Sequence, residues 1–186
     1  VGSFSFSAPK IISTGQGGAI VTNDSNVASR LRRLKDFGRS GGGNDIHDEI
    51  GYNFKFTELQ ACVGIEQMKK LRSRVERKKE IYSRYIENLR DLNGIRIFSH
   101  DIKNTTPWFI DALAEDRDDL LIFLTNKGIG TRAMYPPINK QIAYSVSGNH
   151  VVSNLIGQKG VWLPSYTQLS FNEIDFICDN IRNFYK

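Results

Sequence analysis

Lys10 is the residue of this sequence whose surroundings most suggest covalent chemistry. Ser5 and Ser7 precede it at the end of a strand-like segment, and a glycine-rich run, residues 15–18 (GQGG), follows it. Hydroxyl groups and glycine backbone suit a phosphate, and a lysine amine kept partly out of water can form a Schiff base with an aldehyde. A solvated surface lysine is the common alternative. The combination nevertheless favours a ligand that carries both a phosphate and an aldehyde.

A nucleotide-binding loop is the competing interpretation of residues 15–18. The run lacks the Gly-Lys-Ser/Thr ending of a P-loop, and a strand-like segment follows it instead of a helix. It also lacks the glycine spacing of a dinucleotide-binding βαβ unit. Both kinds of nucleotide loop are therefore excluded.

The elements that must position Lys10 are predicted to be short. Strand patterns cover residues 3–6 and 18–22, and a helix capped by residues 23–25 is expected to run to about Phe37, before Gly38. Residues 39–50 are predicted to be a loop because they are rich in glycine, serine and aspartate.

A capping box at Thr57 opens the firmest helix of the sequence. Its apolar spacing continues through a charged stretch to Leu89, before Asn93 and Gly94. This predicts one long helix, straight or kinked, that bridges two lobes. The second lobe is predicted to be α+β. Its expected elements are strands 95–98, 108–112 and 129–134, a helix capped by Asp116 that ends at Lys127, a helix over 151–156 and a last helix opened by the capping box at Ser170.

Composition excludes several classes of protein. The 186 residues are 40% hydrophobic and 24% charged, as in an ordinary globular chain. No apolar run approaches the roughly 20 residues of a membrane helix, so no membrane span is predicted. Cys62 and Cys178 lie far apart in helical patterns, which argues against a disulfide framework and favours the cytoplasm. The start at Val1, with no Met and no signal-like segment, indicates a cut point, either from processing or because the sequence begins within a longer protein.

Three further patterns have ordinary explanations. The histidines, at 47, 100 and 150, are scattered through loop-like segments, so no metal site is predicted. The basic run 69–79 contains apolar residues and has glutamates nearby, which is typical of the exposed face of a helix. Trp108 and Trp162 lie in apolar, strand-like settings and are expected to be core residues.

Residues 5–24 (SFSAPKIISTGQGGAIVTND) resemble the lysine segment of a known family. The family is DegT/DnrJ/EryC1/StrS, the pyridoxal-phosphate-dependent nucleotide-sugar aminotransferases. Residues 51–61 (GYNFKFTELQA) are similar to a second segment of that family, and a third similarity runs through residues 107–137. Together the three segments extend the resemblance along the whole chain.

The resemblance implies a role for each of five residues. Lys10 would bond to pyridoxal 5'-phosphate and carry the proton of transamination, and Ser5 would hold the cofactor phosphate. Asn53 would reach the phosphate bound by a neighbouring subunit. Lys55 and Arg39 would contact the substrate; Lys55 stands where the family commonly has arginine, which keeps the charge but loses bidentate recognition.

The fold implied by the resemblance is α/β, of the aspartate-aminotransferase type. Family members are considerably longer, so the chain resembles their C-terminal half: residues 1–75 as the end of the large cofactor-binding domain and residues 76–186 as the small domain, entered by the long bridging helix. The family's other ring-binding residues precede the lysine. A chain without them is expected to be inactive, because the cofactor's chemistry depends on how the protein holds its ring.

The reaction implied by the resemblance is transamination of a nucleotide-linked keto sugar with an amino acid donor such as glutamate. Residues 107–109 and 135–139 favour the perosamine-synthase-like branch, which acts on 4-keto-6-deoxy sugars. A homodimer with shared active sites is implied, without nucleic acid or membrane partners. Two alternatives stay open: a catalytically silent regulatory or binding module on the same fold, which Lys10 disfavours, and a basic nucleic-acid-binding domain, for which no module signature is found.

Overall fold

The computed structural model describes residues 1–41, 45–144 and 148–186. The chain divides into two compact units, Val1–Arg72 (unit 1) and Ser73–Lys186 (unit 2). The elements in chain order are β1 (Gly2–Ser5), β2 (Gly18–Val21), α1 (Ser25–Lys35), α2 (Glu58–Lys69), α3 (Leu71–Leu89), β3 (Ile95–Ile97), β4 (Ile110–Ala114), α4 (Arg117–Asn126), β5 (Arg132–Ala133), a 3₁₀ turn (Ile138–Lys140), α5 (Val151–Lys159), β6 (Gly160–Leu163) and α6 (Phe171–Phe184).

Unit 1 is built on a β-hairpin and two helices. Strands β1 and β2 pair antiparallel, with Ser5 opposite Gly18, so the segment that carries Lys10 is the connection between them. Helix α1 begins after Asp24, whose carboxylate accepts hydrogen bonds from the backbone of Asn26 and Val27. The helix ends at Lys35, two residues before the predicted end at Phe37.

Apolar side chains of unit 1 remain accessible to water. Phe4 is 56% exposed, Ile65 60% and Met68 53%. Among the described residues of this unit, no hydrophobic side chain is buried. The predicted loop 39–50 forms no helix or strand where it is described, and its residues 42–44 lie outside the described residues.

The predicted long helix is divided into two helices. It is interrupted at Lys70, where α2 ends and a separate helix, α3, begins at Leu71. The backbone N–H of Lys70 donates to the carbonyl of Gln67, a tighter i to i−3 closure than that of an α-helix. Residues 66–74 contain neither glycine nor proline, so the sequence pattern carried no sign of the break.

Unit 2 contains an antiparallel sheet in the order β3-β4-β6-β5. Buried and half-buried residues alternate along β4, which places Ile110, Ala112 and Ala114 on the core side. Helices α3, α4 and α6 supply the other buried side chains, among them Tyr85 and Ile174. The predicted α+β character of this lobe is therefore confirmed.

Three local predictions for unit 2 need correction. Asp116 stands at the N-cap position of α4 but makes no side-chain capping bond, because its backbone is left-handed (φ +47°). The strand expected over 129–134 is reduced to Arg132–Ala133. Trp108 and Trp162 are half-buried and lie outside the core; in β6 the neighbours of Trp162, Val161 and Leu163, occupy the buried side instead.

Cys62 and Cys178 are free thiols. None of the helices that the structure describes is long and apolar enough to cross a membrane.

Candidate active site

Lys10 lies in the connection between β1 and β2, in a hydrogen-bonded turn. Its backbone N–H donates to the carbonyl of Ser7 at 3.0 Å, and the residue is partly buried. Two further backbone bonds hold the connection: Phe6 donates to Gly17, and Thr14 donates to Phe6, both at 2.9 Å. The lysine is therefore carried by a short, braced segment at the end of a strand.

Two hydroxyl groups accompany the lysine on this connection. The hydroxyl of Ser5 donates to that of Ser7 at 3.1 Å, and the backbone N–H of Ser7 donates to the Ser5 hydroxyl at 3.3 Å. Hydroxyl and backbone N–H groups are common ligands of phosphate oxygens. Ser7 is therefore hydrogen-bonded to both Ser5 and Lys10, two of the predicted site residues.

Helix α2 helps to fix the glycine-rich end of the connection. The side-chain amide of Gln60 donates to the carbonyl of Gln16 at 3.0 Å. Gly17 has φ +117°, and a Cβ at this position would lie 2.5 Å from the ring of Phe56. The turn therefore requires glycine both for its backbone conformation and for its packing against Phe56.

A second group of predicted residues lies around Asp36. The ammonium of Lys55 donates to Oδ1 of Asp36 at 2.9 Å, and the guanidinium of Arg39 donates to the same oxygen at 2.7 Å. These two hydrogen bonds hold the pKa of Asp36 below its usual value. Arg39 also pairs with Asp45 at 3.0 Å. Two cations thus share one carboxylate oxygen on the surface of unit 1.

Sequence reasoning missed Phe37 as a support for these cations. Its backbone is left-handed (φ +59°), an uncommon conformation for a bulky side chain. The Nζ of Lys55 lies 3.8 Å from the centre of the Phe37 ring, and the guanidinium of Arg39 lies 5.4 Å from it. Only the glycine that follows, Gly38, signalled an unusual backbone in the sequence.

Asn53 belongs with this second group through its main chain. It forms an isolated antiparallel bridge with Asp36, and its side chain is exposed. A groove of about 1050 Å³ is lined by Asn53 and Lys55 but by neither Ser5 nor Lys10. Within unit 1 the predicted residues therefore form two groups, one on the hairpin connection and one around Asp36.

The described residues contain no group of three or more His, Cys, Asp or Glu side chains that could hold a metal ion.

The mixed α/β fold of this chain matches solved structures of aminotransferases. A DegT DnrJ EryC1 StrS aminotransferase from Brucella abortus superposes with a TM-score of 0.90 at 29% identity, over 98% of this chain and 50% of that one. DesV from S. venezuelae gives a TM-score of 0.88 at 26% identity, over 99% and 51%. The expected fold class is confirmed.

The family follows from the sequence match over nearly the whole chain. The DegT/DnrJ/EryC1/StrS aminotransferase family matches residues 1–182, and the chain belongs to it. Similar curated proteins include the GDP-perosamine synthase of Escherichia coli O157:H7, 33% identical over all of this chain and 52% of that protein. Another is the dTDP-4-amino-4,6-dideoxy-D-glucose transaminase of Shigella dysenteriae, 32% identical over 96% of this chain and 51% of that protein. The chain spans about half the length of the curated relatives it matches.

Proposed function

We propose that this chain takes part in pyridoxal-phosphate-dependent transamination of a nucleotide-linked keto sugar. The sugar would be a 4-keto-6-deoxy sugar, and the donor an amino acid such as glutamate. The observation that supports the proposal is the braced connection, in which Lys10 closes a backbone turn with Ser7 and the hydroxyls of Ser5 and Ser7 are hydrogen-bonded to each other. The names of the relatives support the substrate class, since they include GDP-perosamine synthases and a dTDP-aminosugar transaminase.

The donor groups on the connection fit pyridoxal 5'-phosphate chemically. The Ser5 hydroxyl, held against that of Ser7, would bind the phosphate, and the amine of Lys10 would bond to the aldehyde carbon. When bound, the cofactor supplies the electron sink for amino-group exchange.

Lys10 would also move the proton. Its Nζ would take a proton from the α-carbon of the amino donor and, in the second half of the reaction, return one to the sugar carbon that gains nitrogen. The turn from Ser7 to Lys10 fixes the backbone from which this side chain extends.

The cations around Asp36 would bind anionic groups of the substrate. Arg39 and Lys55 share a single oxygen of Asp36, and the second partner of Arg39, Asp45, is an exposed carboxylate. Phosphate oxygens suit both side chains, and the guanidinium can bind them in a bidentate manner.

Asn53 would complete the site of a second copy of the chain, which makes the protein a homodimer with shared sites. Its exposure on a segment bridged to Asp36 leaves its amide accessible to such a partner. In this proposal unit 1 is the end of the large domain, and unit 2 is the small domain.

Borohydride labelling of the protein at its natural full length tests the proposal. A bond between cofactor and lysine is reducible, so peptide mapping should find the reduced cofactor on Lys10. Lys10→Ala should lose the label and all turnover, whereas Lys35→Ala, which removes an exposed lysine of the same unit, should keep both. A label on another lysine would overturn the assignment, and a protein without cofactor or turnover would favour the silent binding module.

A further inference from the structure

The capping box of α2 contains a hydrogen-bond donor that the cap does not use. Oε1 of Gln60 accepts hydrogen bonds from the backbone N–H and the hydroxyl of Thr57, at 3.1 and 3.0 Å. A capping box works with glutamate as well as with glutamine, because only an acceptor is needed at this position. The cap therefore does not explain why this side chain ends in an amide.

The amide nitrogen of Gln60 bonds to the connection that carries Lys10. It donates to the carbonyl of Gln16 at 3.0 Å, across 44 positions of chain. The partners fix the orientation of the amide, because the backbone N–H of Thr57 can only donate and the carbonyl of Gln16 can only accept. The Gln60 side chain thus joins the start of α2 to the lysine connection.

The carbonyl of Gln16 lies where this connection closes on itself. It also accepts a hydrogen bond from the hydroxyl of Thr14 at 2.6 Å, and the backbone N–H of Thr14 donates to Phe6. Phe6 in turn donates to Gly17, the residue that follows Gln16. The segment from Phe6 to Gly17 is therefore a closed loop that contains Lys10, and α2 is bonded to its closing point. We call this segment the lysine loop.

Packing against α2 supports the same end of the lysine loop. A Cβ at Gly64 of α2 would lie 3.2 Å from Cγ2 of Thr14. The ring of Phe56, which precedes the cap, meets the ring of Phe6 edge-on, with 6.4 Å between the ring centres. The hydrogen bond from Gln60 therefore acts at a packed contact, where it can hold the loop in one position.

We propose that Gln60 is a positioning residue for Lys10. Its oxygen begins helix α2 and its nitrogen fixes the lysine loop, so one side chain couples the two. A lysine that exchanges protons with bound carbon atoms needs a fixed backbone, because misplacement of a reacting group lowers the rate. The inference rests on the proposed function for the role of Lys10, but the hydrogen bond that it concerns needs no ligand.

Gln60→Glu separates the two roles of this side chain, because a carboxylate keeps the acceptor of the cap and removes the donor to Gln16. Hydrogen exchange of the full-length protein, measured with residue resolution, tests the effect on the loop. The amides of Phe6 and Thr14 should exchange about fivefold faster, the effect of losing one hydrogen bond. The amides of α2 should keep their wild-type rates, since the cap is intact.

Thr57→Ala is the matched control for exchange. It removes the hydroxyl of the cap but leaves the backbone N–H that orients Gln60. The amide of Gln60 should exchange faster in this variant, whereas those of Phe6 and Thr14 should not change. Faster exchange at Phe6 and Thr14 in both variants would overturn the inference, because a frayed helix would then explain it. Wild-type exchange in Gln60→Glu would overturn it as well.

Steady-state kinetics show whether the position of the loop matters to the lysine. Gln60→Glu should lower kcat about tenfold and change the KM of the nucleotide sugar less than about twofold, because Lys10 acts in the chemical step. Glu173→Gln, the reverse exchange in the capping box of α6, is the control and should leave kcat unchanged. An unchanged kcat in Gln60→Glu would overturn the inference.

Borohydride labelling keeps this inference separate from the proposed function. A label on Lys10 together with wild-type exchange or turnover in Gln60→Glu would reject the role of Gln60 alone. A protein without label or turnover would reject the proposed transamination, and hydrogen exchange would still decide whether Gln60 fixes the lysine loop.

Discussion

At the scale of single residues, Lys78 is the least expected side chain of unit 2. It is only 7% exposed, and its ammonium donates to the carbonyls of Trp108 and Ser165, at 2.6 and 2.5 Å. Burial lowers the pKa of Lys78 from 10.5 to about 8. The lysine therefore ties α3 to two chain segments that are distant in sequence, at the expense of a desolvated charge.

The lowered pKa of Lys78 predicts a stability that rises with pH. Between about pH 8 and pH 10.5 the unfolded chain binds a proton at this lysine that the folded chain has released, so rising pH favours folding. Relative to Lys78→Met, the wild type should gain about 2 kcal/mol in free energy of unfolding from about pH 7.5 to pH 10. Urea unfolding at several pH values measures this difference.

The free energy of unfolding of the wild type must be compared with that of a variant, because other groups also titrate at alkaline pH. Burial raises the pKa of Tyr85 and of Cys178, and both shifts make stability fall at high pH. Lys79→Met, on the same helix, is the control and should give a curve parallel to the wild type. If Lys78→Met also runs parallel, the buried ammonium does not titrate as described.

At the scale of elements, one carboxylate of α6 accepts three hydrogen bonds from α3. Asp175 accepts two hydrogen bonds from Arg84, each 2.7 Å long, and a third from the amide of Asn88. The bonds from Arg84, and then that from Asn88, lower the pKa of Asp175. Bidentate pairing makes this the best-defined ion pair between the two helices.

Asp175→Asn should lower the free energy of unfolding by about 1 kcal/mol at neutral pH, a modest value because the pair is partly exposed. The folded pKa of Asp175 is depressed, so its contribution is complete above the unfolded pKa and is lost as the pH falls through the folded value. The difference between wild type and variant should therefore shrink from about pH 6 to about pH 3.

Asp179→Asn provides the matched control for this ion pair. Asp179 is exposed on the same helix, and its replacement should change the free energy of unfolding by less than about 0.5 kcal/mol. Chemical denaturation of the three proteins across this pH range gives the comparison. A difference for Asp175→Asn that does not depend on pH would show that packing, not charge, explains its effect.

At the scale of the whole molecule, the apolar core is distributed unequally between the two units. Every buried hydrophobic residue that the structure describes, from Ile81 to Ile181, belongs to unit 2. In unit 1 the hairpin strands expose most of their side chains, including Ile20 and Val21, each 52% exposed. Local stability follows buried apolar contacts, so the units should differ in stability.

Hydrogen exchange of the 186-residue chain should show this difference directly. Amides of α3 and α6 should exchange slowly, at the rate of global unfolding, whereas those of α1 and α2 should exchange early. Leu120→Ala, which opens the core, should cost about 2–5 kcal/mol and accelerate exchange throughout unit 2. Ile122→Ala, on the exposed side of the same helix, is the control and should have little effect. Equal protection of the α2 and α6 amides from exchange would contradict the expected difference in stability between the two units.

The sequence by itself determined those features that depend on neighbours a few residues apart. The capping boxes at Thr57 and Ser170 begin α2 and α6 as predicted, because a cap needs only a side chain and a backbone N–H three residues on. The lysine segment is equally local, because Ser5, Ser7 and Lys10 lie within six residues and the bonds that Ser7 makes to the other two are short-range. Family membership rests on the same contiguous segments.

Only the tertiary structure decided the features that depend on distant partners. The Trp162 side chain lies opposite the core because β6 pairs between β4 and β5, whose residues are far away in sequence. Lys55 meets Asp36 across 19 positions of chain, and only the folded backbone brings the two charges together. Hydrophobic periodicity shows that a residue has an apolar setting but not which side of a sheet it occupies, because that side is set by strand pairing.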